Sequence, residues 1–182
     1  MPFTFTSCHI PDLYEIQPKV FGDERGYFFE SYSEKDFESA GITLPFVQDN
    51  QSRSCKGTLR GLHFQKHHPQ GKLVRVIQGE VFDVAVDIRP GSPTMGKWHA
   101  VILSGEKQNQ FYIPPGFAHG FLSLSDEVIF AYKCTDFYYP EDEGGIIWND
   151  PVIGIKWPDL DMEYTLSNKD KELPSFLSGG VK

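Results

Sequence analysis

Val128, Phe130, Tyr132, Cys134, Asp136 and Tyr138 share one parity of a single run, and the spacing of two predicts an extended strand with one face turned to a core. Leu73 to Asp87 reads as two more strands around Gln78-Gly79-Glu80. Elsewhere Gly22, Gly26, Gly41, Pro45, Gly57, Gly71, Pro90-Gly91, Gly96, Gly105 and Pro114-Pro115-Gly116 divide Val-, Ile-, Phe- and Tyr-rich segments at roughly hairpin spacing. An all-β sandwich or barrel is the expectation. Helical patterning is confined to Ser33 to Ala40, where Ser33 stands three residues before an acid, and to a turn near Asp159 to Tyr164. No repeat, low-complexity tract or linker divides residues 1–182, so one domain is expected.

Two segments set histidine beside glycine in strand-like surroundings: Gly57-Thr58-Leu59-Arg60-Gly61-Leu62-His63-Phe64-Gln65 and Ile113-Pro114-Pro115-Gly116-Phe117-Ala118-His119-Gly120-Phe121. The pattern predicts two β-hairpins that aim imidazoles into one pocket, and imidazole is the side chain best matched to proton transfer near neutral pH. Pro114-x-Gly116-x-x-His119 has the form of the second cupin motif, a tight turn that points a histidine into a jelly-roll barrel. A metal-binding cupin would carry a second histidine two residues after His63, but Gln65 stands there and no acid completes a first shell. No metal is expected, and the imidazoles are read as acid–base groups. The competing reading is a pair of satisfied core histidines.

Composition narrows the partners. A chain of 182 residues with 40% hydrophobic content can bury a substantial core. Charged residues from Asp12 to Arg25 leave no unbroken apolar run at the start, so neither a membrane span nor a signal peptide is expected and the cytoplasm is the expected location. Cys8, Cys55 and Cys134 are odd in number and widely spaced, which argues against a disulfide framework and a cysteine-based zinc site. A net charge of -8 without a Lys/Arg block disfavours nucleic acid. A small anionic ligand remains open if a few cations converge.

Asp23-Glu24-Arg25-Gly26-Tyr27-Phe28, Gln48-Asp49-Asn50, Leu59 to Gln65, Gly71-Lys72-Leu73-Val74, Val84 to Arg89, Ser92-Pro93-Thr94, Tyr132-Lys133 and Trp148-Asn149-Asp150-Pro151 together resemble the dTDP-4-dehydrorhamnose 3,5-epimerase family. The resemblance runs from about Arg25 to Asp170 in matching order. It implies a cupin-type jelly roll with N-terminal strands packed outside it and a mixed C-terminal tail from about Glu141. It also implies epimerisation of a dTDP-linked 4-keto-6-deoxyhexose at C3 and C5 by a homodimer, without metal or redox cofactor.

The roles follow from the same resemblance. His63 matches the base and Asp170 the carboxylate that orients it; Tyr132 matches the acid on the opposite ring face, and Lys72 the cation that stabilises the enolate. His119 is a further polar contact. Arg25 and Arg60 suit the diphosphate, Gln48, Asn50, Glu30, Glu143 and Lys169 match contacts to phosphate, sugar or base, and Tyr138 matches the residue stacked on thymine. Arg25 and Glu30 would reach the neighbouring subunit's site. On an unbroken strand Tyr138 would lie about 20 Å from Tyr132. Simple alternation puts Arg60 and His63 on opposite faces, so both can line the pocket only with a bulge or bend at Gly61. A mono-epimerase acting at C3 or C5 alone, and a catalytically silent sugar-binding cupin, remain as alternatives.

Overall fold

Thirteen strands, two short α-helices and a 3-10 turn at Pro140–Asp142 make up a computed structural model that describes residues 2–177: β1 Phe3–Ser7, β2 Tyr14–Pro18, β3 Phe21–Asp23, β4 Gly26–Phe28, α1 Glu34–Ser39, β5 Gln48–Cys55, β6 Leu59–Gln65, β7 Lys72–Gln78, β8 Glu80–Asp87, β9 Trp98–Ser104, β10 Gln110–Ile113, β11 Phe117–Ser123, β12 Glu127–Cys134, β13 Glu143–Gly145 and α2 Asn168–Lys171. A six-stranded antiparallel sheet, in the order β1-β2-β10-β7-β12-β5, faces a five-stranded one, β13-β6-β11-β8-β9. The fold is the expected cupin-type jelly roll.

Three apolar layers hold it together. Between the sheets pack Val74, Val76, Phe111, Ile113, Val128 and Phe130 from one side and Val81, Ala85, Val101, Leu103, Phe117 and Phe121 from the other. The outer face of the five-stranded sheet carries Leu62, Val84, Val86 and Ala118, covered by Ile153, Trp157 and Phe176 of the tail. Covered on both faces, β8 is buried at six of its eight positions rather than at alternate ones. On the outer face of the six-stranded sheet Phe37 of α1 packs with Phe3, Ile16, Leu73 and Tyr112.

Several expectations are corrected here. The strands on either side of Gly79 form as expected, but β7 and β8 belong to different sheets, so the turn is a corner between layers. β1 and β2 extend the edge of the six-stranded sheet instead of packing outside the barrel; only β3 and β4 stand apart, as a two-stranded arm. Ser33 is the N-cap of α1 but its hydroxyl makes no capping bond. Asp159 to Tyr164 stays irregular, the Tyr164 hydroxyl donating to the Pro158 carbonyl at 2.5 Å, and the helix in this region is α2. The strand expected through Tyr138 ends at Cys134, because β5 and β7 both run out there, at Gln48 and Lys72.

Two of the distinctive sequence blocks are structural. The buried Asp87 accepts hydrogen bonds from Arg89 Nε (3.0 Å), Ser92 Oγ (2.6 Å) and Thr94 Oγ1 (2.6 Å). Burial alone would raise its pKa; these donors bring it to about 2. Asp150 likewise ties the tail down, accepting from the backbone N–H groups of Val152, Ile153 and Phe176 at 2.8–3.0 Å.

Candidate active site

β6 and β11 are neighbours, with His63 directly opposite His119. The imidazoles therefore come from one antiparallel strand pair, not from two hairpins. Along that pair His63 faces His119 and Arg60 faces Phe121, so β6 carries one extra residue. This is the bulge that the sequence required, and it brings Arg60 and His63 to the same inner face. Gly61 stands there with φ +105°, and a Cβ on it would lie 2.5 Å from the His119 carbonyl oxygen. Only glycine fits that approach.

Two cavities open between the sheets at this level. One, of about 280 Å³, is lined by Gln48, Asn50, His63, Lys72, Tyr132, Tyr138 and Glu143 among others. The second, of about 250 Å³, is lined by Arg60, His63, Lys72, His119, Tyr132, Lys169 and Asp170 among others. His63, Lys72 and Tyr132 border both. His63 comes from the five-stranded sheet, whereas Tyr132 and Lys72 come from the six-stranded one, so the imidazole and the phenol meet the cavity from opposite walls.

His63 Nε2–H donates to Asp170 Oδ1 at 2.6 Å. Asp170 is 4% exposed, although a lone aspartate in Ser167-Asn168-Lys169-Asp170 reads from sequence as a solvated group. α2 explains the difference: Ser167 caps the helix by accepting from the Asp170 N–H at 3.1 Å, and the turn carries the carboxylate inward. Burial pushes the Asp170 carboxyl up, but bonding to His63 and Ser167 and the nearby Lys169 charge outweigh it and hold it below the ordinary range.

His119 is fixed by a carboxylate that the sequence reading missed. Asp83 is fully buried on β8 with both oxygens 3.0 Å from His119 Nε2. The available signal was an aspartate inside the apolar run Val81-Phe82-Asp83-Val84-Ala85-Val86, since an acid there must have a partner. Burial lowers the His119 pKa, and Asp83 opposes the shift.

Burial likewise lowers the Lys72 pKa, against the exposure ordinarily expected of a lysine after glycine. Tyr132 is shifted the other way: burial raises its pKa and keeps the phenol protonated at neutral pH. Gln65, the residue at the missing second histidine position, has a structural task. Its amide donates to the carbonyls of His68 (2.7 Å) and Phe137 (3.0 Å) and accepts from the Tyr139 N–H (2.7 Å).

That clamp helps turn the chain back after β12 and brings Tyr138 to the same cavity as Tyr132, so the separation set by an extended strand does not apply. The Tyr138 hydroxyl donates to Glu143 Oε2 at 2.8 Å, and its N–H donates to Gln48 Oε1 at 3.1 Å. Lys169 forms an ion pair with the same Glu143 carboxylate. Gln48 Nε2 donates to Asn50 Oδ1 at 3.0 Å, and Arg60 Nε donates to Ser54 Oγ at 3.1 Å. Arg25 and Glu30 are not brought together with these residues. Arg25 lies on the exposed β3–β4 arm paired with Asp23, and Glu30 is exposed just beyond it.

The model of the family described as dTDP-4-dehydrorhamnose 3,5-epimerase matches residues 7–178. The chain belongs to this family. A Pseudomonas aeruginosa dTDP-4-dehydrorhamnose 3,5-epimerase is 55% identical over 172 residues, covering 94% of each chain. The crystal structure of a Legionella pneumophila epimerase of this kind, in complex with dTDP-4-keto-L-rhamnose, is 56% identical, with a TM-score of 0.93 over 95% of this chain and 92% of that one. A 3'-monoepimerase from Streptomyces bikiniensis, in complex with dTDP-quinovose, also has this fold at 35% identity, with a TM-score of 0.87 over 92% of this chain and 85% of that one. The 3,5-epimerases are thus the nearer in sequence of these three, and the jelly-roll fold alone does not decide how many carbons are inverted. Among the described residues no helix is long and apolar enough to cross a membrane.

Proposed function

We propose that this chain converts dTDP-4-dehydro-6-deoxy-D-glucose to dTDP-4-dehydro-L-rhamnose by inverting C3 and C5, with no metal or redox cofactor in the reaction. The observation that carries the reading is His63, held by Asp170 on one sheet, opposite Tyr132 and Lys72 on the other. C3 and C5 both flank the C4 ketone, so the same carbonyl acidifies both protons. His63 takes the proton from one face of the sugar ring. The ketone oxygen then carries enolate charge, which the Lys72 ammonium stabilises in a site where burial strengthens the interaction. Tyr132, still protonated, returns a proton from the other face.

The remaining residues divide the nucleotide among them. Arg60 binds the diphosphate, His119 adds a polar contact to the sugar, and Gln48, Asn50, Glu143 and Lys169 hold the nucleotide end, where Tyr138 stacks on thymine. Tyr138 is half exposed, which leaves it open to receive the base. Tyr138→Ala is expected to weaken dTDP binding by about 1–3 kcal/mol in calorimetry, with a smaller effect on turnover at saturation. Unchanged affinity would make Tyr138 only a packing aromatic.

Arg25 and Glu30 act in a second copy of the chain, which the exposed β3–β4 arm reaches in a homodimer. Its exposed Phe21, Tyr27 and Phe28 give that contact an apolar surface. Light scattering is expected to report a dimer at catalytic concentrations; a clean monomer there would remove the cross-subunit role.

Deuterium wash-in on the 4-keto sugar nucleotide tests the reaction itself. Exchange and inversion at both C3 and C5 are expected. Reaction at one carbon only would make the protein a mono-epimerase, and exchange at neither would make it a silent sugar-binding cupin.

A further inference from the structure

Cys8, Glu15 and His99 bring a thiol sulfur, a carboxylate oxygen and an imidazole nitrogen within 4.8 Å of one another. His9 adds a second imidazole, its Nδ1 3.0 Å from Nδ1 of His99. None of the four lines either cavity described above. In the five-stranded sheet His63, His119, Ala85 and His99 follow one another across neighbouring strands, which places His99 about 14 Å from His63 at the usual strand spacing.

The location is a seam between the sheets. Cys8 leaves the end of β1 and continues its pairing through an N–H donated to the Leu13 carbonyl at 3.0 Å; Glu15 is on β2, and His99 is on β9, an edge of the other sheet. Cys8 packs against the central core, the His99 ring lies 5.8 Å from that of Phe111, and Glu15 Oε1 sits 3.4 Å from His99 Nε2. His9 is exposed, against the Nδ1 side of the His99 ring.

We propose that Cys8, Glu15 and His99, with water completing the coordination, form a structural binding site for a divalent transition metal of the Zn²⁺ class. A thiolate, an imidazole and a carboxylate are the donors such an ion selects over Mg²⁺ or Ca²⁺. Glu15 lies on the Nε2 side of His99, so Nε2 is the ligand atom, and the contact of Nδ1 with His9 on the other side of the ring helps hold the imidazole in place. Three half-buried ligands on three separate segments would let the ion fasten the first two strands of one sheet to the edge of the other. The wide spacing that argues against a cysteine-based zinc site excludes a cluster of cysteines; it leaves open a mixed set assembled by the fold, and here the ion revises the expectation of no metal.

The test uses the whole chain after exhaustive chelation, titrated with Zn²⁺ and with Co²⁺. One Zn²⁺ per chain is expected in calorimetry. Co²⁺ should give a thiolate-to-metal charge-transfer band and the strong visible bands of four-coordinate cobalt, and Zn²⁺ in hundredfold excess over Kd should raise Tm by about 5–10 °C. Cys8→Ser and His99→Ala should each remove the charge-transfer band or weaken Zn²⁺ binding about 100-fold or more, while Cys55→Ser, which alters an exposed cysteine outside the group, should change neither. Cys8→Ser is the conservative variant should His99→Ala disturb the edge strand. No charge-transfer band in the parent chain, or one that persists in Cys8→Ser, would overturn the assignment. Turnover that is lost on chelation and restored by metal in Cys8→Ser would place the ion in the catalytic cavity and overturn it as well.

Discussion

His63→Ala is expected to abolish both deuterium exchange and inversion at C3 and C5, with turnover at least ~10²–10⁴-fold below the parent chain. The loss should reach the upper end of that range or beyond, since no second base stands beside it in the proposed mechanism. In the proposed mechanism His63 keeps its Nε2 proton in the hydrogen bond with Asp170, which leaves the Nδ1 lone pair to accept the carbon-bound proton. NMR of the 4-keto sugar nucleotide in D₂O reads exchange and inversion together. Thermal melting separates loss of chemistry from loss of fold, and His63→Asn, closer in size and still polar, should behave alike. A fully active His63→Ala would sink the catalytic assignment.

Tyr132→Phe separates the two half-reactions. Removing only the hydroxyl leaves the aromatic contact with Phe130, whose ring centroid is 5.9 Å away, so the strand should pack as before. Inversion is expected to fall by ~10²–10⁴-fold, the scale of a positioned general acid. Some solvent exchange should survive, because His63 still abstracts the proton and an exchanged deuteron returns to the same face. The contrast between the variants is the diagnostic: His63→Ala loses both signals, while Tyr132→Phe loses inversion far more than exchange. Inversion of C5 at near the parent rate in Tyr132→Phe would place the acid elsewhere.

The parity that marks β12 as a strand is a local property, visible wherever alternate residues meet a core. Where the strand stops is not local. Tyr138 keeps the same parity, yet the chain turns after Cys134 because its partners on both sides end and Gln65 captures the backbone at Phe137 and Tyr139. Asp170 is similar. Ser167 three residues before it is a visible capping signal, but the inward direction of the carboxylate depends on β6 lying beside α2 with His63 ready to donate. Arg25 and Glu30 show the limit in another form, since their proposed site lies on a second copy.

By itself the sequence determined the all-β class, the acidic surface, the glycine at the bulge and the residue types able to move protons. Each depends on composition or on contacts within a few positions along the chain. The tertiary structure alone decided that the two histidines sit on adjacent strands, that Asp83 and Asp170 are buried beside them, and that Tyr132 meets the cavity from the opposite sheet. It also decided that Cys8, Glu15 and His99 converge at the seam. These pairings join residues tens of positions apart, and packing one sheet on the other sets them, because hydrophobic burial rewards closure of the core without leaving a mark at either partner's place in the chain.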